Sequence, residues 1–246
     1  MIRMIKENAM RVLIFFTLAM TALTPPLRAQ KNAPQKFNDA IKRSESTAEV
    51  ITKLAELPQN SIPRELVDKA EAIGVFPCKK TDLLIEHAVI CPGVISRHLQ
   101  NGWSLPAFYK FGGGGFGRPD PALRQSAVMI LLFMDKESIE WLGKALGLND
   151  ERQAQAGPLG SITKDQQAEL ANVHIIAYAI RKDGLRGENL KDGFWKRSGL
   201  GPDNRINQNL YGMKGHEVLA GKAIAAASIP SGISAFQHAL EKYYSR

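Results

Sequence analysis

Residues Trp103 to Gly117, W-S-L-P-A-F-Y-K-F-G-G-G-G-F-G, run an aromatic strand straight into four consecutive glycines. Glycine has no Cβ and tolerates positive φ, so such a run marks a tight bend, a bulge or the close approach of another backbone or a ligand. Gly112, Gly113, Gly114, Gly115 and Gly117 are therefore read as a structural glycine bend, with a small anion-binding nest as the alternative. The fit of Gly112, Gly114 and Gly117 to G-x-G-x-x-G fails as a dinucleotide site. Those glycines would have to open a helix, yet Arg118-Pro119-Asp120-Pro121 follows, and Ala122 to Ala127 is too short for a parallel crossover of about a dozen residues. A P-loop is excluded because no Gly-Lys-Ser/Thr comes next.

The N-terminus has the form of a secretory signal. Arg3, Lys6 and Arg11 precede the apolar run Val12 to Leu23, and Pro25-Pro26 leads to a small residue, Ala29, after which cleavage is expected. The apolar run is shorter than the roughly 20 residues a spanning helix needs, which leaves an uncleaved interfacial anchor as the alternative. Residues 1–29 carry four basic residues and one acidic, so their removal lowers the formal charge of +8 to +5. A moderate positive excess suits anionic lipid or another polyanionic surface. Nucleic acid fits poorly, since no dense Arg/Lys run interleaved with aromatics occurs and export removes the opportunity. Cys78 and Cys91, with twelve residues between them, are the only cysteines. In an oxidising compartment they would close a hairpin-sized loop; two buried free thiols are the other reading.

Phe37, Ile41, Ala48, Ile51 and Ala55 repeat at helical spacing and predict an N-terminal amphipathic helix from Lys36 to Leu57. Its outer face mixes Lys42, Arg43, Glu45, Glu49, Lys53 and Glu56, which favours packing on its own domain over a membrane surface. A short helix capped by Ser61 should run to Ala72. Strands are expected at Ile73 to Phe76, Leu83 to Ile95, Trp103 to Phe111, Ala127 to Met134 and Val173 to Arg181, the last ending in a hairpin at Lys182-Asp183-Gly184. Asp135 should cap a helix reaching Leu146 and closed by Gly147. Asn149 to Gln167 reads as polar and turn-rich, and helices are expected at Asn204 to Tyr211 and Ile233 to Tyr244.

Support for catalysis is lacking. The five histidines show no H-x-H or H-x-x-x-H spacing, neither cysteine lies at zinc-ligand distance from one in sequence, and no G-x-S-x-G or S-x-x-K motif occurs. Glu86, Asp135 and Asp203 are better read as solvated or capping carboxylates than as a catalytic pair. The expectation is a non-enzymatic protein with no metal and no cofactor.

Six ordered segments carry a resemblance. They are Ser61-Ile62-Pro63-Arg64-Glu65-Leu66; Lys69-Ala70-Glu71-Ala72-Ile73-Gly74-Val75-Phe76-Pro77; Gly102 to Phe108 with the glycine run; Ala156-Gly157-Pro158-Leu159-Gly160; Gly184-Leu185 with Asp192-Gly193; and Asp203-Asn204-Arg205-Ile206-Asn207-Gln208-Asn209-Leu210-Tyr211-Gly212. In this order they resemble the SYLF domain family, whose members are known as lipid-binding and, in eukaryotes, actin-binding. The resemblance implies an α+β domain without cofactor, a curved, largely antiparallel sheet or barrel flanked by helices. With the leader and terminal helices read above, the chain divides into a signal peptide (1–29), a helical extension (30–60), a SYLF-like domain (61–222) and a C-terminal helical tail (223–246). The chain departs from the family in having no glycine between Thr81 and Ile90 and Arg118-Pro119-Asp120 where Q-I-G is usual. The basic amphipathic segment of eukaryotic members does not carry over, and cytoplasmic actin binding is set aside by export.

The expected function is binding of anionic lipid headgroups, or a related amphiphile, at the cell envelope, with the periplasm or envelope surface as location. The candidate cations are Lys79, Lys80, Lys110, Arg118, Arg181, Lys182 and Arg186, near the aromatics Trp103, Phe108 and Trp195. Each Lys or Arg near an anionic surface contributes about 1 kcal/mol, so the idea requires four or five of them to converge. The alternative is a module that holds another envelope protein, indifferent to lipid charge.

Overall fold

In a computed structural model of the chain, the described residues are 33–57, 61–82, 87–115, 127–148, 153–190, 198–222, 224 and 229–244. The expected signal segment, Gly117, Arg118, Trp195 and residues 83–86 lie outside them, as do the side chains of Lys79 and Lys80. Asn38–Arg246 forms one compact unit; of the unit before it, Met1–Phe37, the described part is helical.

Helix α1 (Ala33–Ala55) is followed by α2 (Arg64–Lys69) and strands β1 (Ala72–Asp82), β2 (His87–Leu99), β3 (Gly102–Trp103), β4 (Ala107–Gly115) and β5 (Ala127–Phe133). Next come α3 (Lys136–Trp141), β6 (Leu146–Gly147), β7 (Ala154–Ala156), α4 (Lys164–Leu170), β8 (Ile175–Arg181), β9 (Gly184–Gly187) and β10 (Gly199–Pro202). Helices α5 (Asn204–Tyr211), α6 (Gly215–Leu219) and α7 (Ala235–Tyr244) close the chain. The sheet runs β6-β10-β4-β2-β1-β5-β8-β7, with β3 beside β2 and β9 beside β8. Every pairing is antiparallel except β7 with β8, and the sheet curls into a half-barrel, an α+β fold as expected.

The face of α1 turned inward differs from the expected stripe. Ala40, Ser44, Thr47, Ile51 and Leu54 are buried while Ala55 is exposed. Small hydroxyl residues take the buried side because their polar atoms are satisfied there. Ser44 Oγ donates to the Ile233 carbonyl at 2.6 Å, and Thr47 Oγ1 donates to the Arg43 and Ser44 carbonyls. The Ser44 bond docks α1 on the segment that leads into α7, while those of Thr47 stay within the helix.

Ser61 does not cap α2; Pro63 occupies the cap position, and the Ser61 carbonyl accepts instead from Gly160 N. Asp135 does cap α3, accepting from Ser138 N at 2.8 Å, but the helix stops at Trp141. Leu146 and Gly147, expected to end it, pair with Leu200 and Gly199, because β10 would otherwise present an open edge. The turn-rich stretch contains β7 and α4, the latter opened by a Thr163–Gln166 capping box.

The glycine run does not bend within the described residues. Gly112–Gly115 continue β4 as extended strand, and the positive φ angles belong to Gly102, Gly160, Gly184, Gly212 and Gly221. What Gly112 provides is close approach: a Cβ there would sit 2.7 Å from the Val89 carbonyl oxygen.

Candidate functional site

Alternation along the strands defines two sheet faces, one containing Val75 and the other Phe76. On the Val75 face the register aligns Tyr178, Ile130, Val75, Val94 and Phe108 in one row across five strands. All five are at most 1% exposed. The cover comes from several elements. Tyr211 of α5 stacks on Phe108, the Arg43 guanidinium of α1 lies over the same ring, and Tyr178 Oη donates to the Pro158 carbonyl.

Two residues further along each strand, on the same face, lies the row Leu185, Ile180, Val128, Pro77, Pro92 and Lys110. Here the described residues leave the face partly open. The five apolar residues are half-buried, Lys110 is 53% exposed on its side chain, and Ile90, next along β2, is 51% exposed. The opposite face at the same level remains closed: Cys78, Cys91, Phe111, Ala127 and Leu200 are all buried. The open row is thus one uncovered face of an otherwise packed sheet, about 24 Å from Lys110 to Leu185 at the usual strand spacing.

Pro77 faces Pro92 on the adjoining strand, and neither has an N–H to donate. The β1–β2 ladder accordingly pairs Ala72–Val75 with Val94–Arg97 and Lys79–Asp82 with His87–Ile90, skipping 76–78. Cys78 and Cys91, one residue beyond the prolines, are joined in a disulfide with Cα atoms 4.1 Å apart, as in a closely spaced, non-hydrogen-bonded cross-strand pair. The bridge is compatible with an exported protein. One residue before the prolines, Gly93 lies against β1, where a Cβ would collide with the Val75 carbonyl oxygen.

The candidate cations do not form one cluster. Lys110 stands at one end of the open row and binds Asp203 at 3.1 Å; Asp203, only 8% exposed, also meets Arg43 at 3.6 Å. Burial lowers the Arg43 pKa, and the Asp203 charge opposes that shift without cancelling it. At the other end, Arg181 is buried and paired with Glu188 at 2.7 Å, while Arg186 meets Glu188 and Asp183. Lys182 is exposed in the hairpin turn. Lys79 and Lys80 take backbone positions opposite Ile90 and Val89. Instead of converging, the described cations flank an apolar strip. Trp103 and Phe108 are buried in the core and are not part of that surface.

Sequence reasoning missed the strip itself, because Pro77, Pro92 and Ile180 become neighbours only through strand register. It also missed Asn207. That side chain accepts from Phe108 N at 2.8 Å and donates to the Phe108 carbonyl at 2.9 Å, taking the place of a neighbouring strand where β10 ends. Tyr211 Oη, held by the Pro106 carbonyl, and Tyr109 Oη, held by the Leu142 carbonyl, are buried phenols whose pKa values are raised by desolvation. They serve as structural donors. Asp135 binds His174 Nδ1 as well as Ser138 N. Burial pushes its carboxyl up, but the Ser138 and His174 hydrogen bonds outweigh this and its pKa lies below the ordinary value.

Among the described residues no helix is long and apolar enough to cross a membrane. Comparison with protein-family models, curated proteins and solved structures finds no match for the chain.

Proposed function

We propose that the chain is a non-enzymatic, exported domain of the cell envelope that binds anionic amphiphiles on the uncovered sheet face. The observation that carries the reading is the row Leu185, Ile180, Val128, Pro77, Pro92, Lys110, with exposed Ile90 beside it. Monomeric proteins rarely leave a contiguous apolar strip open without a use for it. Its ends carry charge suited to an anionic headgroup, Lys110 on one side and Lys182 with Arg186 on the other. Lys110 already faces Asp203, and Arg186 faces Glu188 and Asp183, so the three cations together contribute less than the roughly 1 kcal/mol each of free surface charges, and apolar contact along the strip must supply most of the binding. The secretory leader, the disulfide and the SYLF-like segments support the same placement in the periplasm or at the envelope surface.

Co-sedimentation with phosphatidylcholine vesicles, with and without phosphatidylglycerol, tests this. Binding should require the anionic lipid, weaken with salt, and be lost in Ile90→Asp, whose side chain is exposed and whose fold should persist. Equal, negligible pelleting with both vesicles defeats the proposal. The mixed exposure of the strip also suits a second exported chain. That reading expects salt-insensitive capture of a defined protein and indifference to vesicle charge.

A further inference from the structure

At the other end of the sheet a cleft of about 410 Å³ lies between Glu71 after α2, Arg97 and His98 at the end of β2, Gln100 in the turn that follows, and Lys136 at the start of α3. Arg97 pairs with Ala72 on β1, five residues before Pro77, so the cleft is about 17 Å along the strand from the open row. Arg97 is the anomaly. Its side chain is 24% exposed, its Nε is shielded from solvent without a hydrogen-bond partner, and its nearest carboxylate, Glu71, stands at 3.6 Å, beyond hydrogen-bonding distance. A guanidinium carries five donors in a planar fork; with Nε shielded, the terminal Nη groups are the ones a ligand in the cleft can reach.

We propose that this cleft is a binding site for a soluble phosphate monoester. The phosphate oxygens would accept from the Arg97 fork and meet the Lys136 ammonium across the cleft, with His98 alongside. Charge decides between oxyanions: Arg97 and Lys136 against Glu71 leave one net positive charge. A carboxylate would merely compete with Glu71, whereas a doubly charged phosphate outbids it for the fork. The cleft has room for the organic part of the ester, and its distance from the open row keeps it clear of a bilayer seated there.

The test is amide chemical-shift titration of the exported chain with glycerol 1-phosphate, inorganic phosphate and acetate, beside sedimentation with phosphatidic acid vesicles. Glycerol 1-phosphate should shift the amides of Glu71 and Arg97 to Gln100, and acetate should not. Lys136→Ala should weaken binding about tenfold, as loss of one charge-assisted contact does. Arg97→Lys should weaken it comparably while keeping the charge, and Ile90→Asp should leave it unchanged. The site is refuted if glycerol 1-phosphate causes no shifts at millimolar concentration, if acetate binds as well, if Lys136→Ala has no effect, or if only the vesicle-borne monoester binds.

Discussion

The two ends of one face of the sheet are built from similar apolar residues and yet behave differently. At the Val75 row, helices and the Pro158 loop close over Tyr178, Ile130, Val94 and Phe108. At the Pro77 row, about 7 Å further along the strands, the same face is half open. Hydrophobicity alone therefore does not decide what is core. The boundary falls where the β1–β2 ladder loses its hydrogen bonds at facing prolines, and the covalent bridge beyond them holds the open end in register.

The largest test of that difference is Ile130→Ala against Ile180→Ala. The first empties a packed row and should cost about 3 kcal/mol, the second about 1 kcal/mol or less, by urea denaturation. Equal losses would erase the distinction. Removing the bridge with Cys78→Ser and Cys91→Ser should cost on the order of 3 kcal/mol from loop closure. Hydrogen exchange should then rise at Lys79–Asp82 and His87–Ile90 while Ala72–Val75 stays protected; uniform loosening would mean that the prolines do not divide the ladder. Gly93→Ala should cost about 2 kcal/mol, because the added methyl must displace the β1 backbone. A neutral result would show that the strands can separate there.

A smaller effect is expected at Asp135, on the covered end. Replacing it with Asn should cost about 1 kcal/mol or less near neutrality, because the bonds to Ser138 N and His174 Nδ1 lose the carboxylate charge. Its carboxyl is depressed in the folded chain, so its contribution is complete above the unfolded pKa of about 4 and disappears as pH falls through the native value. The difference between parent and variant should shrink on acidification, and a gap that widened would reverse the assignment. Smallest of all, Ile90→Asp should change stability by no more than about 0.5 kcal/mol, which makes it a clean probe of surface function.

Local pattern was enough for much of the architecture. The apolar run of β5, the hairpin at Lys182-Asp183, the Asp135 cap and helix α5 are all readable from neighbouring residues. The rotated face of α1 was not, because Ser44 and Thr47 count as polar until the Ile233 carbonyl and the helix's own backbone are seen to satisfy them. Nor was the straight course of Gly112–Gly115, where pairing with β2 overrides the freedom of glycine. The open row was the least legible part. Its members come from β1, β2, β4, β5, β8 and β9, and in strands this apolar nothing local marks which residues will be left uncovered.

Asn207 has a consequence of its own. By presenting an amide to both polar groups of Phe108, it fills the seat that a foreign strand would need in order to extend the sheet beyond Pro202. Asparagine is suited to this because it offers a donor and an acceptor at once; aspartate in its place would set a negative oxygen against the Phe108 carbonyl. With the Asp203 N–H donating to the same carbonyl at 2.9 Å, one side chain lets the polypeptide pass from ribbon into helix α5 while guarding its flank against polymerisation.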